Sequence, residues 1–201
     1  MPSVYDIKPA FQAFLRPVSG FLFRKGITPN QITTAACILS VLTGWILYKY
    51  HTNNAAFLIL PVFLFIRMSL NAIDGMLARE HNMKTNLGAL LNELGDIVSD
   101  CALYLPFAAI DEFNPSAVIA AVILSCISEA AGIAAVQIGA SRRYDGPMGK
   151  SDRALTFGII GTLLGCGVKA GPWCEIVMWC ITAALLLTIV NRVRKSLEEA
   201  G

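Results

Sequence analysis

The sequence predicts an all-α membrane protein with six transmembrane helices preceded by an amphipathic interfacial helix. Three observations lead there. Hydrophobic residues make up 55% of the 201 against 15% charged, with mean hydropathy +0.60, which is far from the usage of water-soluble domains. Long stretches such as 32–48 and 117–136 hold at most one charged residue. The basic residues collect in alternate connections between such stretches, the pattern that fixes orientation across a bilayer.

Residues 1–27 are expected to form the interfacial helix. Phe11, Phe14, Leu15, Phe21, Leu22 and Phe23 alternate with Lys8, Arg16, Arg24 and Lys25 at helical spacing, with a break expected near Pro17. The same basic residues, with no small-residue cleavage site after an apolar core, argue against a cleaved signal peptide, so the chain is expected to be used whole. Thr28, Pro29, Asn30 and Gln31 then place cap-type residues and a proline where the first span should start. A span needs about 20 mostly apolar residues. Such segments lie at 31–50, 55–78, 87–110, 115–140, 153–170 and 172–191, giving one domain over 1–201 with its bundle at 28–196. Gly161 and Gly165 make a GxxxG that marks helix packing or a dimer face.

Thirteen Lys and Arg fall in the N-terminal segment, around Arg79 and Lys84, in the loop with Arg142, Arg143, Lys150 and Arg153, and in the tail with Arg192, Arg194 and Lys195. The opposite side has only Lys49 and Lys169. Both termini are therefore expected in the cytoplasm, with the Asp111 and Glu112 loop outside. Net charge +2 and the lack of basic runs interleaved with aromatics exclude nucleic acid as a partner. Six cysteines without a CxxC pair exclude a disulfide framework and a zinc site.

Ionisable residues within spans cost about 2.5 to 3.5 kcal/mol each on insertion scales, so each needs a partner or a task. They gather between Arg67 and Asp100. Asn71 and Asp74 are three apart near the end of the second span, and Asn92, Asp96 and Asp100 are four apart at the start of the third, so each set shares a helix face. The short connection makes the two helix ends neighbours. Oxygen donors of this kind suit a hard divalent cation, Mg2+ or Mn2+, which in turn binds phosphates. Gly75 and Gly88 leave room beside the carboxylates. Arg67 is read as a structural counter-charge to these acids, and Glu129, alone in the fourth span, either pairs with Arg67 or lines an acceptor cavity. Residues 142–153 combine turn residues with Arg142, Lys150 and Arg153 at a helix start, an arrangement able to hold an anionic group.

Asp74, Gly75, Ala78, Arg79, Gly88 and Asp96 stand in a register that resembles the signature of the CDP-alcohol phosphotransferase (CDP-alcohol phosphatidyltransferase) family, D-x2-D-G-x2-A-R-x8-G-x3-D-x3-D. The resemblance implies transfer of a substituted phosphate from a CDP-linked donor to an alcohol, with release of CMP. By position in the motif, Asp74 is implied as a metal ligand and catalytic residue. Asp96 is implied as the general base with metal contacts, and Gly75, Ala78, Arg79 and Gly88 as the nucleotide pocket. Asn71 and Asn92 stand where the pattern has its first and third aspartates; each keeps an oxygen donor, and two negative charges are gone. The metal site then has one ion, weaker affinity, or help from Glu93 or Asp100. Family members also bind acceptor phosphates near the second basic segment, which implies Lys150, Arg153 and Arg142 as acceptor residues, and a homodimer is expected from the resemblance alone.

The expected function is therefore a phosphatidyltransferase of phospholipid biosynthesis in a bacterial inner membrane. It would move a phosphatidyl group from CDP-diacylglycerol, or a related group from another CDP-linked donor, to a small polar alcohol on the cytoplasmic side. Its partners are the donor, the alcohol and membrane lipids. The rivals are a non-catalytic family member and a cation-coupled transporter, since intramembrane acids beside an arginine also mark ion pathways. A transporter, however, should show repeats or broken helices at mid-membrane, and the acids here cluster at one edge.

Overall fold

The computed structural model describes residues 4–201, with side chains described from residue 10 onward; the side chain of Lys8, counted above among the cytoplasmic basic residues, lies outside the described residues. Seven α-helices follow one another: α1 (Val4–Arg24), α2 (Pro29–Lys49), α3 (Ile59–Glu80), α4 (Asn86–Tyr104), α5 (Pro115–Ala134), α6 (Lys150–Gly165) and α7 (Pro172–Ala200). Short 3-10 turns precede α3 and follow α4 and α5. The described residues contain no strand.

Four of these segments are long and apolar enough to cross a membrane: Pro29–Lys49, Asn54–Glu80, Pro115–Ile138 and Pro172–Ala200. The other two expected spans differ for local reasons. α4 carries Glu93, Asp96 and Asp100 within its 19 residues, and α6 has only 16, because the chain turns left-handed at Gly167 (φ +87°) where the sequence pattern runs on to residue 170. α7 instead continues past residue 191 to Ala200, carrying Arg192, Arg194 and Lys195 on the same helix.

The start of α2 follows the expected chemistry. Thr28 accepts a hydrogen bond from the Gln31 amide while the Gln31 side chain accepts from the Thr28 amide, a capping box with Pro29 in the first turn. α1 departs from expectation, for it runs unbroken through Pro17. Leu15 is buried, and Phe11 and Leu22 join it against Ile73, Met76 and Leu77 of α3; this packing holds the helix together across the missing N–H of Pro17. Arg16 Nη2 meets Glu80 Oε1 at 3.1 Å, while Phe14 is 75% exposed on the other face.

The main core lies at the end of the bundle away from the acids. Phe57, Tyr104, Phe107, Phe113 and Phe157 are all buried there, with the Tyr104 and Phe157 rings stacked at 4.0 Å and Phe107 edge-on to Phe157 at 5.3 Å. Gly161 and Gly165 face the 3-10 turn before α3: a Cβ at Gly161 would lie 3.1 Å from the Phe57 carbonyl, and one at Gly165 would meet Leu58. The GxxxG therefore serves packing within the chain. α2 and α4 approach closely in the same way, with Gly44 directly against the Ala102 carbonyl. This anchored apolar half presents the other ends of α2 to α7 around a polar cavity.

Candidate active site

That cavity, about 690 Å³, opens between the C-terminal part of α3, the N-terminal part of α4 and the segment leading into α6. Asn71, Asp74, Gly75, Ala78 and Arg79 line it from α3, Gly88, Asn92, Glu93 and Asp96 from α4, and Arg142 and Lys150 from beyond α5. The two polar helix faces read from the spacing thus meet at one place. Asp74 is buried, and its Oδ2 accepts a hydrogen bond from Thr33 Oγ1 of α2 at 2.7 Å. Thr33 was not singled out from the sequence, and nothing local marks it, because its partner lies 41 residues away.

Asp96 is contacted on both of its oxygens. Lys150 Nζ pairs with its Oδ2. Arg67 Nη2 reaches Oδ1 at 3.2 Å, and Asn71 Nδ2 lies 3.4 Å from the same oxygen. Arg67 therefore acts as the counter-charge expected of it. Arg79 and Lys84 line the cavity too, and among the described residues neither has an ion-pair partner. The Arg79 guanidinium lies over Gly75, where a Cβ would come within 3.0 Å of Nη2.

The structure separates two expected site residues from the cavity. Asp100 is 2% exposed and gives both oxygens to guanidinium groups: Oδ1 to Arg67 at 2.7 Å and Oδ2 to Arg153 at 2.8 Å. Buried behind the cavity and absent from its lining, it is out of reach of a metal held there. Arg153, expected at the acceptor, is 1% exposed and spends its donors on Asp100, Glu129, Ser128 and the Met148 carbonyl. One turn along each helix turns a cavity position into a buried one.

Glu129 lines the cavity and binds arginines other than Arg67. It meets Arg153 at 3.0 Å, Arg142 at 3.2 Å and Arg192 of α7 at 3.4 Å. Arg192, which the sequence offered only as a tail residue, is buried and also donates through Nη1 to the Ser128 carbonyl. Arg142 is further held by Glu93 at 2.5 Å and lies over the Tyr144 ring at 4.2 Å. Burial works against its charge, but the hydrogen bond and charge of Glu93 outweigh it and hold the guanidinium above its ordinary range.

The loop that carries Arg142 is fastened to the end of α7. Glu199 accepts from the Ser141 amide and hydroxyl at 2.9 Å each, and from Arg143. Asp145 accepts from Lys195 at 2.6 Å and from Arg143 at 2.9 Å. The Lys195 hydrogen bond, with Arg143 beside it, keeps the Asp145 carboxyl below the usual carboxylate range.

A second cavity of about 530 Å³ runs between α3 and α6 and is mostly apolar, lined by Leu64, Phe65, Met68, Leu155 and Ile159 among others. It shares Asn71, Lys150 and Ser151 with the first. A polar chamber and an apolar groove therefore meet at Lys150.

Comparison with known proteins gives this geometry a family. The sequence model of CDP-alcohol phosphatidyltransferases matches residues 26–190. The chain belongs to the CDP-alcohol phosphatidyltransferase family. Family membership makes it a membrane-embedded transferase of phospholipid biosynthesis. It is 47% identical over 196 residues, 97% of this chain and 96% of the relative, to Inner membrane protein YnbA of Escherichia coli (strain K12). It is 27% identical to the phosphatidylinositol phosphate synthase of Mycolicibacterium smegmatis, over 100% of this chain and 92% of that one. The same fold occurs in crystal structures of phosphatidylinositol phosphate synthase (PgsA1) from Mycobacterium tuberculosis. With manganese and citrate the TM-score is 0.75 at 21% identity, covering 92% of this chain and 90% of that one. With CDP-DAG bound it is 0.73, covering 90% and 92%.

The Mg2+ or Mn2+ expected here has its counterpart in the manganese of that mycobacterial structure. Among the described residues no three His, Cys, Asp or Glu side chains converge as a metal group. The donor set in this chain fits a hard cation only when the amide oxygens of Asn71 and Asn92 join Asp74 and Asp96 in the cavity they share. The pairing of Asp96 with both Lys150 and Arg67 shows where that cavity gathers cationic charge.

Proposed function

We propose that this phosphatidyltransferase moves a phosphatidyl group from CDP-diacylglycerol to a small polar alcohol, releasing CMP, on the cytoplasmic side of a bacterial inner membrane. One observation carries the reading: the acids Asp74 and Asp96, with Arg79 and Lys84, which have no ion-pair partner among the described residues, line one chamber that adjoins, at Asn71, Lys150 and Ser151, an apolar groove between α3 and α6. A nucleotide diphosphate with a diacyl tail matches that pairing of polar and apolar space, and the CDP-DAG held by the M. tuberculosis fold neighbour supports it.

In this reading Arg79 and Lys84 neutralise the pyrophosphate charge, with Gly75, Ala78 and Gly88 letting the nucleotide lie close to the backbone. Asp74, Asp96, Asn71 and Asn92 hold Mg2+ or Mn2+, which when bound supplies charge neutralisation at the phosphates. Arg67 and Lys150 fix the orientation of the Asp96 carboxylate. Asp96 accepts the proton of the alcohol hydroxyl as its oxygen forms the new bond to phosphorus, and the bond from that phosphorus to the bridging oxygen of CMP breaks. Thr33 keeps Asp74 in place from α2. The buried Asp100, with Arg67 and Arg153, ties α3, α4 and α6 behind the reacting centre.

The membrane topology of this reading has six spans, α2 to α7, with α1 along the interface and both termini cytoplasmic. α4 qualifies because Asp96 and Asp100 pair inside the bundle with Arg67, Lys150 and Arg153, and Glu93 with Arg142, which removes the cost that composition assigns to them. The thirteen basic residues collected on one side support the orientation. A homodimer completes the reading.

The test is CMP release by the purified protein in liposomes with Mg2+ or Mn2+ present, from CDP-diacylglycerol with a panel of small polar alcohols or from CDP-ethanolamine with diacylglycerol in the liposomes. Release with CDP-diacylglycerol that is lost in Asp96→Asn supports the reading. Release only with CDP-ethanolamine would replace the donor, and none with either from a folded protein would point to a non-catalytic family member.

A further inference from the structure

The number of divalent cations in the cavity can be read from how its acids are engaged, and this reading rests on the metal placement proposed above. A hard cation draws its hold chiefly from carboxylate charge that the chain has not already neutralised. The acids lining the cavity are Asp74, Glu93, Asp96, Glu129 and Asp152. Glu93 pairs with Arg142, and Glu129 with Arg142, Arg153 and Arg192. Asp152 lies in the first turn of α6, where its Oδ2 accepts from the Gly149 amide at 3.0 Å. Asp74 and Asp96 remain. Of these two, only Asp74 lacks an ion-pair partner among the described residues, and its hydrogen-bond partner, Thr33, is neutral.

Asp96 is satisfied from within the chain. Lys150 pairs with its Oδ2, and Arg67 with its Oδ1 at 3.2 Å. Asn71 completes the set, since its Nδ2 lies 3.4 Å from Oδ1. An aspartate at 71 would set a second carboxylate against that oxygen, and two carboxylates so close need a shared proton or a cation to coexist. The amide donates instead, so the two side chains are compatible with no ion between them. Lys150 adds a compact positive charge on the same carboxylate, and a divalent ion brought to that carboxylate meets its repulsion at short range.

We propose that the chain holds a single divalent cation, carried chiefly by the charge of Asp74, and that Lys150 supplies at Asp96 the positive charge that a second ion would otherwise bring. Lys150 is thereby a positioning residue for the metal. It keeps a second ion off Asp96 and weakens the hold on the first, while Asn71 and Asn92 contribute oxygens without charge.

The experiment uses the full chain in nanodiscs of zwitterionic lipid, without nucleotide, titrated with Mn2+ and read by electron paramagnetic resonance. One Mn2+ per chain is expected at saturation, with no spin–spin broadening, and Asp74→Asn should abolish it. Lys150→Met should tighten binding by about fivefold or more, whereas Lys150→Arg, which keeps the charge, should bind as the wild type does. Lys150 is partly exposed, so these variants should fold, and Lys150→Gln decides where the methionine does not. Two coupled ions per wild-type chain would overturn the proposal, as would no saturable binding, or binding that survives Asp74→Asn. An affinity unchanged or weakened in folded Lys150→Met would overturn it as well, and so would a tightening that Lys150→Arg shares. CMP release, measured on the same preparations, reports the proposed function separately. Two ions with CMP release would sink the single-ion site and leave the transferase standing. One ion, bound more tightly in Lys150→Met, without CMP release from either donor would uphold the single-ion site and remove the transferase.

Discussion

Asp96 and Asp100 stand one turn apart on the same face of α4 and meet different neighbours. Asp96 lines the cavity, whereas Asp100 is closed between Arg67 and Arg153. Their substitutions should therefore separate. Asp96→Asn is expected to keep the fold and lower CMP release by about 10²- to 10⁴-fold, read as turnover beside an unchanged melting temperature. Asp100→Ala takes one of two carboxylate partners from each of the buried Arg67 and Arg153 guanidinium groups and is expected to cost about 3 kcal/mol of stability, read as a large loss of melting temperature before any assay of turnover. The spacing of 92, 96 and 100 made the shared face legible in the sequence. The division of labour along that face was not, because the groups that decide it, Arg67 and Arg153, come from helices 33 and 53 residues away from Asp100. Thr33 and Arg192 escaped for the same reason: each is an ordinary residue of its own helix until a distant acid is brought to it.

At the level of the helices, the sequence located each element and misjudged several ends. Apolar length places a span well, but α6 stops where Gly167 takes a left-handed turn, and α7 runs on because its final residues fasten the loop before α6. That fastening is testable. The depressed Asp145 carboxyl contributes stability above its ordinary titration range and loses it only as pH falls below that range, through its lowered value in the folded protein. Protection of residues 139–149 against hydrogen exchange should therefore persist into mildly acidic solution, whereas Asp145→Asn should weaken it already at neutral pH. The contact of α2 with α4 offers a second test at this scale. Gly44 abuts the backbone carbonyl of Ala102, which has no rotamer to change, so Gly44→Leu should force the helices apart. The expected cost is about 1–3 kcal/mol, measurable as lowered thermal stability. Because Thr33 and Asp74 link α2 and α3 at the cavity, turnover should fall as well.

For the whole molecule, the bundle divides into an aromatic half that fixes the helices and a polar half whose cavity holds Arg79 and Lys84 without ion-pair partners among the described residues, while Arg142, Lys150 and Arg192 are paired with acids. That division matches the donor proposed above, which carries a pyrophosphate and two acyl chains. Removal of divalent cations with a chelator should abolish turnover, and Mg2+ or Mn2+ should restore it, since two carboxylates and two amides leave the phosphates short of positive charge on their own. Family and fold class were legible from the motif between Asp74 and Asp96 and from apolar length, both of which are local in sequence. The pairing of the cavity acids with Arg67, Lys150 and Arg192 depends on α3, α4, α5, α6 and α7 meeting, and only the assembled structure shows it. The most direct test of the account is to identify the lipid made in liposomes containing the purified protein, CDP-diacylglycerol, Mg2+ and a mixture of alcohols. The account predicts a new phosphatidyl alcohol formed in equal amount with CMP and absent with Asp96→Asn. CMP release without a new phosphatidyl lipid, or a product that persists in Asp96→Asn, would contradict it.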